Sequence, residues 1–410
     1  MFPLIAMATL MAPIPVRTVH GSSGWELLRG GKPYVVKGVG GTERMAELAA
    51  AGGNSMRTWG AENAAIELEG CLNNGLTLTI GIWLGHRSYF NYEDAAKVRE
   101  QYEMVRKEVL KHRNHPALLF WALGNEMEAD RNDTPALWKA IEDMAKLVKE
   151  LDPNHPVMTV IAEPASPEKI GNIKRYAPSI DVLGMNSYGG LSTLPKRLKE
   201  AGWDKPYIVT EFGPLGPWER PKTDWKAAIE QTANEKAAFY RSNYENSIQA
   251  QKGWCLGSYA FLWGHKQEET PTWFGMFLPT GERTPVIDVM TYLWSGKWPA
   301  NRAPEIASFA FSSAQKEVEG GSSVTAAIKV TDPNNDRLSF QWEIRREAEN
   351  KGYAGDGEGK PGVVSGFVDG LSTPTISFKV PSAPGSYRLY VTVRDGKGSA
   401  TTVNSPFHVR

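Results

Sequence analysis

The chain has 410 residues, and its 46 basic and 46 acidic side chains give a formal net charge of +0. This length exceeds one ordinary compact domain, and a composition of 41% hydrophobic and 22% charged residues is typical of a folded globular protein. The balanced charge gives no reason to expect a nucleic acid or an anionic membrane surface as a partner.

The first sixteen residues carry no charged side chain and are mostly apolar. Such a segment is typical of the later part of a secretory signal, although no Lys or Arg precedes it, and it is also compatible with a buried or frayed arm. We assign residues 1–29 to an N-terminal arm or signal remnant and expect a secreted or periplasmic protein. No later segment reaches the ~20 apolar residues of a membrane span, so none is expected.

Short apolar runs alternate with longer amphipathic stretches between Tyr34 and His265. The apolar runs predict eight strands, at Tyr34–Gly38, Asn54–Trp59, Leu76–Leu84, Ala117–Leu123, Val157–Ile161, Ile180–Met185, Tyr207–Thr210 and Gly257–Trp263.

Most of the stretches between these strands carry helix signals. Thr134 is a good N-cap with Pro135 in the first helical position, and a helical face follows at Leu137, Ile141, Ala145, Val148 and Leu151. Eight strand–helix alternations with nearly continuous apolar strands predict an α/β protein with a parallel (β/α)8 TIM barrel. We assign residues 30–298 to this barrel.

The pattern changes after a linker at residues 299–304, which Pro299 and Pro304 mark. Strand-like alternation follows, and residues 305–410 are predicted to form a small all-β immunoglobulin-like sandwich. Asp332, Asn334 and Asp336 begin like a calcium loop, but Arg337 stands where such a loop needs glycine. We interpret this segment as a hairpin turn.

Two of the predicted strands end in a carboxylate: Glu126 ends the fourth, and Glu211 ends the seventh. An unpaired carboxylate at the tip of a buried strand is costly, so the pair indicates a function rather than stability. The C-terminal ends of barrel strands meet at the face where active sites lie. Cleavage of a glycosidic bond requires two carboxyl groups, ~5–5.5 Å apart in retaining enzymes. The pair therefore predicts catalysis on carbohydrate.

Further side chains at strand ends are expected beside this pair. The Asn125 amide is suited to hold a sugar 2-hydroxyl, and the Tyr188 hydroxyl is suited to donate to Glu211. Arg57 is expected to form an ion pair with Glu211. The simpler alternatives are a helix cap at Glu126 and a purely structural ion pair at Arg57. Trp263 is expected to form the floor under the ring. The predicted substrate-binding residues are Arg57, Trp59, His86, Asn125, Tyr188 and Trp263.

Several of these aromatic residues have an equally simple structural interpretation. Each of the tryptophans at 59, 83, 218 and 273 is explained equally well as a sugar platform or as core packing. His86 is explained equally well as a residue that lines the cleft or as a capping residue.

No pattern indicates a cofactor or a metal ion. CxxC and HExxH are absent from the sequence, and the two cysteines, Cys71 and Cys255, are expected to be buried free thiols rather than a bridge. We expect neither cofactor nor metal, and the expected partner is a β-linked oligo- or polysaccharide. The oligomeric state is left open.

Four motifs in this region resemble the clan A glycoside hydrolases, most closely the catalytic barrel of family 2. They are RNHPALLFWALGNE at 113–126, DPNHP at 152–156, DVLGMNSY at 181–188 and PYIVTEFG at 206–213. The resemblance covers roughly residues 30 to 297. It implies that Glu126 is the proton donor, that Glu211 is the nucleophile, and that β-linked substrates are cleaved with retention.

The chain also departs from that family. Members usually carry a jelly-roll and a sandwich domain before the barrel, whereas only a short arm precedes Tyr34, which favours an open cleft over an exo-acting pocket. Thr58 and Trp59 replace a histidine-containing segment, which predicts a different subsite beside the nucleophile. The pattern from Asp332 to Trp342 resembles bacterial immunoglobulin-like and PKD-like modules.

Three alternatives stand beside a hydrolase. A transglycosylase would use the same carboxylate pair with an acceptor sugar in place of water. A non-catalytic carbohydrate-binding barrel would bind without turnover. An adhesion protein would act mainly through residues 303–410.

Overall fold

The computed structural model describes residues 12–129, 133–348 and 358–410. These residues form a small N-terminal sheet, a closed eight-stranded parallel barrel with surrounding helices, and a C-terminal domain of two β-sheets. The predicted fold class, a TIM barrel followed by a small all-β domain, is confirmed. Most of the apolar N-terminal segment lies outside the described residues.

The N-terminal sheet closes the end of the barrel that is remote from the strand C-termini. Its three antiparallel strands are β1 (Val16–Gly21), β2 (Gly24–Arg29) and β3 (Lys32–Pro33). The backbone N–H groups of Val16 and Trp25 donate to Asn154 O at 2.8 Å and Gly253 O at 2.6 Å, just before two barrel strands begin. The predicted arm is therefore an ordered sheet from Val16 onward.

All eight predicted barrel strands are present and pair in parallel. The strands are β4 (Val36–Gly40), β5 (Ser55–Arg57), β6 (Thr77–Ile82), β7 (Leu118–Leu123), β8 (Val157–Ala162), β9 (Val182–Asn186), β10 (Tyr207–Phe212) and β11 (Cys255–Ala260). The ring runs β4 to β10 in chain order and closes through β11. The predicted boundaries lie within about two residues of these, except that β11 ends at Ala260 and does not reach Trp263.

Within the residues described, eight α-helices surround the barrel. They are α1 (Met45–Ala50), α2 (Ala64–Asn73), α3 (Ala95–His112), α4 (Pro135–Leu151), α5 (Pro167–Tyr176), α6 (Leu194–Glu200), α7 (Ala233–Asn243) and α8 (Pro285–Ser295). As predicted, Thr134 caps α4, accepting the N–H of Leu137 at 3.4 Å. None of these helices, in the part of the chain described, is long and apolar enough to cross a membrane.

A polar layer inside the barrel lies below the C-terminal ends of the strands. The Tyr259 hydroxyl bonds Ser55 Oγ at 3.0 Å and Thr79 Oγ1 at 2.5 Å, and Gly38 makes room for its ring, since a Cβ there would lie 2.4 Å from the ring. Arg57 follows Ser55 by two residues on the same strand. Because alternate residues share a face, Arg57 lies one layer nearer the mouth.

The C-terminal domain consists of two packed sheets. The three-stranded sheet is β12 (Glu305–Phe311), β14 (Ser323–Thr331) and β16 (Thr375–Lys379), and the four-stranded sheet is β13 (Glu317–Val318), β18 (Ala400–Val409), β17 (Gly385–Arg394) and β15 (Ser339–Arg346). Its core includes Trp342, Ile344, Leu389 and Val391.

The segment after β14 is a turn. Asp332 Oδ1 accepts the backbone N–H groups of Asn334 at 2.8 Å and Asp336 at 3.0 Å, as a tight connection requires. The carboxylates of Asp332, Asp336 and Asp395 lie within 4.8 Å of one another there, and we assign no ion to them.

The outer face of the four-stranded sheet packs against the barrel. Arg388 on β17 is fully buried and donates to Ala228 O at 2.9 Å, Asn404 Oδ1 at 2.7 Å and Glu347 at 2.9 and 3.2 Å. Asn404 Nδ2 in turn donates to Glu230 Oε2 at 2.6 Å. These bonds fix the sheet to the segment that follows the Glu211 strand.

Both cysteines are free and buried, Cys71 in α2 and Cys255 at the start of β11.

Candidate active site

The two predicted catalytic carboxylates lie at the C-terminal ends of barrel strands. Glu211 is the fifth residue of β10, and Glu126 lies three residues beyond β7. The chain turns after β7 through Gly124, with a φ of 70°, and Glu126 itself has a φ of 50°. This left-handed conformation is uncommon for a residue with a Cβ and costs about 1–3 kcal/mol, so such residues concentrate at functional sites.

Glu211 is held by three side-chain donors. Its Oε1 accepts hydrogen bonds from Arg57 Nη1 at 3.0 Å and Trp59 Nε1 at 2.8 Å, and its Oε2 accepts one from the Tyr188 hydroxyl at 2.9 Å. The Arg57 and Glu211 side chains are 1% and 8% exposed, so each charge needs the other to offset its loss of hydration. This arrangement fixes the carboxylate and leaves Oε2 with an unused lone pair.

Glu126 has a different environment. Asn186 Nδ2 donates to its Oε1 at 2.7 Å, and its Oε2 accepts no hydrogen bond from the residues described. Removal of the carboxyl from water, reinforced by the charge of Glu211, raises the pKa of Glu126 to about 8. Glu126 therefore keeps its proton at neutral pH.

Asn125 and Asn186 connect the two carboxylates. Asn125 Oδ1 accepts from Arg57 Nη2 at 2.7 Å and from Asn186 Nδ2 at 3.1 Å. Asn186 Oδ1 accepts from Thr210 Oγ1 at 2.8 Å, which orients that amide. Because Asn125 Oδ1 faces two donors, its Nδ2 group is left to donate to a ligand.

An aromatic wall stands beside Glu211. The Tyr188 ring lies 5.5 Å from Phe274 and 6.1 Å from Phe261, and Trp59 lies 5.8 Å from Phe261. Burial, with the charge of Glu211, raises the pKa of Tyr188 well above its ordinary value. The Tyr188 hydroxyl therefore remains a donor to Glu211 throughout the neutral range.

The arrangement can perform nucleophilic and acid–base chemistry at one place. Glu211 faces a guanidinium, whereas Glu126 keeps its proton, and such unequal environments assign different tasks to two carboxyl groups. The Arg57 guanidinium already supplies positive charge against Glu211, which makes the pair poorly suited to a divalent cation.

Four of the six predicted substrate-binding residues lie together with the carboxylates: Arg57, Trp59, Asn125 and Tyr188. His86 is near the mouth, but it is 5% exposed and lies between the rings of Trp83 and Tyr89. It therefore supports those rings and offers little surface of its own.

Trp263 does not provide the predicted floor. It is 1% exposed and packs against Phe277 at 5.0 Å and Trp294 at 6.5 Å within the barrel's main core. Because β11 ends at Ala260, the chain has left the strand before Trp263, and alternation along the strand no longer places that residue. Phe261, directly after the strand, supplies the ring in the aromatic wall.

The exposed fraction of each tryptophan side chain distinguishes a possible sugar platform from core packing. Trp273 is 1% exposed and donates through Nε1 to Leu215 O at 2.9 Å, so it is structural. Trp59 bonds the nucleophile candidate directly, as described above. Trp83 and Trp218 are 40% and 60% exposed.

Sequence reasoning missed Asn186 as a site residue. It ends β9, two residues before Tyr188. Its position at the tip of a predicted strand was the same signal that identified Glu126 and Glu211, and an amide there is suited to orient a carboxyl group.

The barrel is similar to known proteins. Residues 70–217 match the family model described as glycosyl hydrolases family 2, TIM barrel domain. A β-glucuronidase of Paenibacillus borealis is 24% identical over 148 residues, which are 31% of this chain and 23% of that enzyme.

Solved structures share the fold. A family 2 β-galacturonidase of Eisenbergiella tayi superposes with a TM-score of 0.55 at 17% identity, over 69% of this chain and 55% of that one. A β-glucuronidase of Bacteroides uniformis gives a TM-score of 0.54 at 13% identity, over 96% of this chain and 48% of that one. The chain thus spans about half the length of these structures. The predicted resemblance to the family 2 barrel is confirmed by the family model over residues 70–217, and the solved structures share the barrel fold.

Proposed function

We propose that this protein is a retaining β-glycoside hydrolase that cleaves β-linked oligo- or polysaccharide by double displacement in an open cleft. The observation that carries the proposal is the unequal environment of two carboxyl groups at one barrel mouth. Glu211 is paired with Arg57, whereas the pKa of Glu126 is raised to about 8. A fixed nucleophile and a carboxylic acid that keeps its proton are the two groups that double displacement requires.

In the first step Glu211 Oε2 attacks the anomeric carbon, since this oxygen carries one hydrogen bond and Oε1 carries two. The bond from that carbon to the leaving oxygen breaks, and Glu126 gives its proton to this oxygen. The product is a glycosyl ester on Glu211. The Asn125 Nδ2 group donates to the sugar 2-hydroxyl, a contact that strengthens as the transition state forms.

In the second step Glu126, now ionised, takes a proton from water, whose oxygen attacks the anomeric carbon. The ester bond breaks, and Glu211 returns to its place against Arg57 and Tyr188. In the ester Glu211 carries no charge, so Glu126 loses one of the causes that raise its pKa in the free protein and can ionise, and one group serves as acid and then as base.

Reducing-sugar release from a panel of β-linked polysaccharides and aryl β-glycosides tests the proposal. Because relatives are named β-glucuronidase and β-galacturonidase, both uronides belong in the panel beside neutral sugars. Glu211→Ala and Glu126→Gln are expected to lose about a thousandfold or more of kcat/KM on the active substrate. Glu47→Gln, at a half-exposed surface glutamate, is the matched control.

Product length and glycan binding, measured on the same panel, separate the alternatives. Products longer than the substrate at high substrate concentration would identify a transglycosylase that uses the same pair. Binding of a glycan without turnover by the wild type would identify a carbohydrate-binding barrel and would contradict the proposal. Binding by residues 303–410 alone, without activity, would identify an adhesion protein.

We also propose that the protein acts outside the cytoplasm, because its first sixteen residues are apolar and uncharged and its proposed substrates include polymers. Fractionation of cells that express the chain tests this, with retention in the cytoplasm as the contrary result.

A further inference from the structure

Four aromatic side chains are exposed in the part of the chain that the structure describes: Trp83, Tyr89, Trp218 and Trp298. The exposure of Trp298 has a local explanation, since this residue lies between the domains. Its ring stacks on the Tyr292 ring at 4.6 Å, and the Arg302 guanidinium lies 4.3 Å from the centre of the Trp298 ring. The other three follow the C-terminal ends of barrel strands, where substrate binds in this fold.

These three rings lie on opposite sides of the mouth. Trp83 and Tyr89 follow β6, and Trp218 follows β10. In the closed ring these two strands are four places apart out of eight. Glu211 lies on β10, and Glu126 follows β7, the neighbour of β6. Each catalytic carboxylate therefore has an exposed aromatic surface on its own side of the barrel.

Trp218 is held in place beside the nucleophile. Its ring meets Tyr188 edge-on at 5.6 Å, and the Tyr188 hydroxyl bonds Glu211. The next residue, Glu219, accepts the backbone N–H groups of Gly216 at 2.7 Å and Gly189 at 3.0 Å. These bonds join the Trp218 loop to the Tyr188 loop, yet 60% of Trp218 is exposed.

The opposite surface is a stack of three rings. His86 lies 4.9 Å from Trp83 and 5.9 Å from Tyr89, nearly parallel to both, and Trp83 Nε1 donates to the Tyr89 hydroxyl at 3.2 Å. The N–H of Arg87 donates to Met127 O at 2.9 Å, which fixes this loop beside Glu126. Trp83 and Tyr89 remain 40% and 63% exposed.

Exposed rings held this firmly are suited to bind rather than to pack. Leaving large apolar rings in water gives up the free energy of their burial, and fixing them in advance lowers the entropy cost of binding. Flat rings pack well against the C–H faces of pyranose sugars. Two such surfaces on either side of the carboxylates suit a ligand that crosses the whole mouth.

We propose that Trp218 and the Trp83–His86–Tyr89 stack are two sugar-binding platforms on which one extended β-linked glycan chain lies across the mouth, so that cleavage is internal. This inference rests on the proposed glycosidase function and specifies its substrate as a polymer. The sugar units nearest the carboxylates react, and the outer units stack on the two platforms.

The test compares oligosaccharides of increasing length, of the linkage found active, with the matching aryl β-monoglycoside. In the wild type kcat/KM is expected to rise with chain length. Trp218→Ala and Trp83→Ala are each expected to lower the ratio of kcat/KM for the longest oligosaccharide to that for the aryl glycoside by about tenfold, equivalent to about 1.4 kcal/mol. Trp298→Ala, at the exposed tryptophan away from the mouth, should leave the ratio unchanged.

If neither Trp218→Ala nor Trp83→Ala changes this ratio while the wild type hydrolyses the aryl glycoside, the platform proposal is refuted and the hydrolase proposal stands. Binding of the longest oligosaccharide to Glu211→Ala, measured by calorimetry, gives a readout without turnover. If the wild type hydrolyses none of the substrates, binding to Glu211→Ala that weakens about tenfold when Trp218→Ala is added would keep the platforms and refute the hydrolase.

Discussion

The Asn186 amide donates a hydrogen bond of 2.7 Å to Glu126 Oε1, and its other end is held by Thr210 at 2.8 Å. This bond favours the ionised form of Glu126, while burial and the charge of Glu211 favour the protonated form, and the latter two prevail. The pKa of Glu126 is therefore set by a balance of opposing effects that single substitutions can shift.

The pH dependence of activity follows from the pKa of Glu126. The first step needs the protonated carboxyl, so kcat/KM is expected to be maximal below about pH 8 and to fall about tenfold per pH unit above it. Rate measurements with an aryl glycoside that has a poor leaving group check this. A good leaving group needs no proton, so the residual activity of Glu126→Gln on such a substrate should not decrease above about pH 8. A decrease that persists in this variant would mean that another residue causes it.

Substitution of Asn186 should move the fall in activity to higher pH. Asn186→Ala removes the donor that stabilises ionised Glu126, so the pKa of Glu126 rises. The control is Asn243→Ala, at a buried asparagine of α7 away from the site. A shift to lower pH, or equal shifts in both variants, would contradict the assigned role.

Tyr188→Phe should lower kcat more than it raises KM. The substitution removes one hydrogen bond to the Glu211 carboxylate while keeping the ring in the aromatic wall. A hydrogen bond to a charged group contributes about 1.5–3 kcal/mol, which corresponds to about a 10- to 100-fold loss. Tyr244→Phe, at a buried tyrosine outside the site, is the control, and equal effects of the two substitutions would show that only packing was disturbed.

Arg388→Met should destabilise the contact between barrel and C-terminal domain. The change removes the guanidinium that donates to Glu347, Asn404 and the Ala228 carbonyl, and breaking such a buried pair costs about 3–5 kcal/mol. Urea unfolding should show a lower midpoint than for Arg346→Met, at an exposed arginine of β15. Equal midpoints would mean that the two domains do not depend on this contact.

The barrel and the position of its two carboxylates could be predicted because the pattern is local. Each strand is a short apolar run, and Glu126 and Glu211 interrupt such runs at their ends. The parallel topology then brings distant strand ends together, so Arg57, Trp59, Asn125 and Tyr188 followed from position alone.

The remaining features depend on contacts that periodicity does not record. Trp263 lies beyond the last residue of β11, so its burial is decided by the loop and not by alternation along the strand. Arg388 occupies the polar side of an alternating strand, which predicts a solvent-facing position, but the barrel covers that side. Residues 16–33 lack a long apolar run, and their sheet is stabilised by contact with the barrel's lower end.

The configuration of azide products tests the central claim most directly, with an activated aryl β-glycoside as substrate. Azide needs no general base and can replace either carboxylate. In Glu126→Ala it should attack the glycosyl ester from the face opposite Glu211 and give the β-glycosyl azide. In Glu211→Ala it should occupy the place of the nucleophile and give the α-glycosyl azide. The same anomer from both variants, or reversed anomers, would contradict the roles assigned to Glu126 and Glu211.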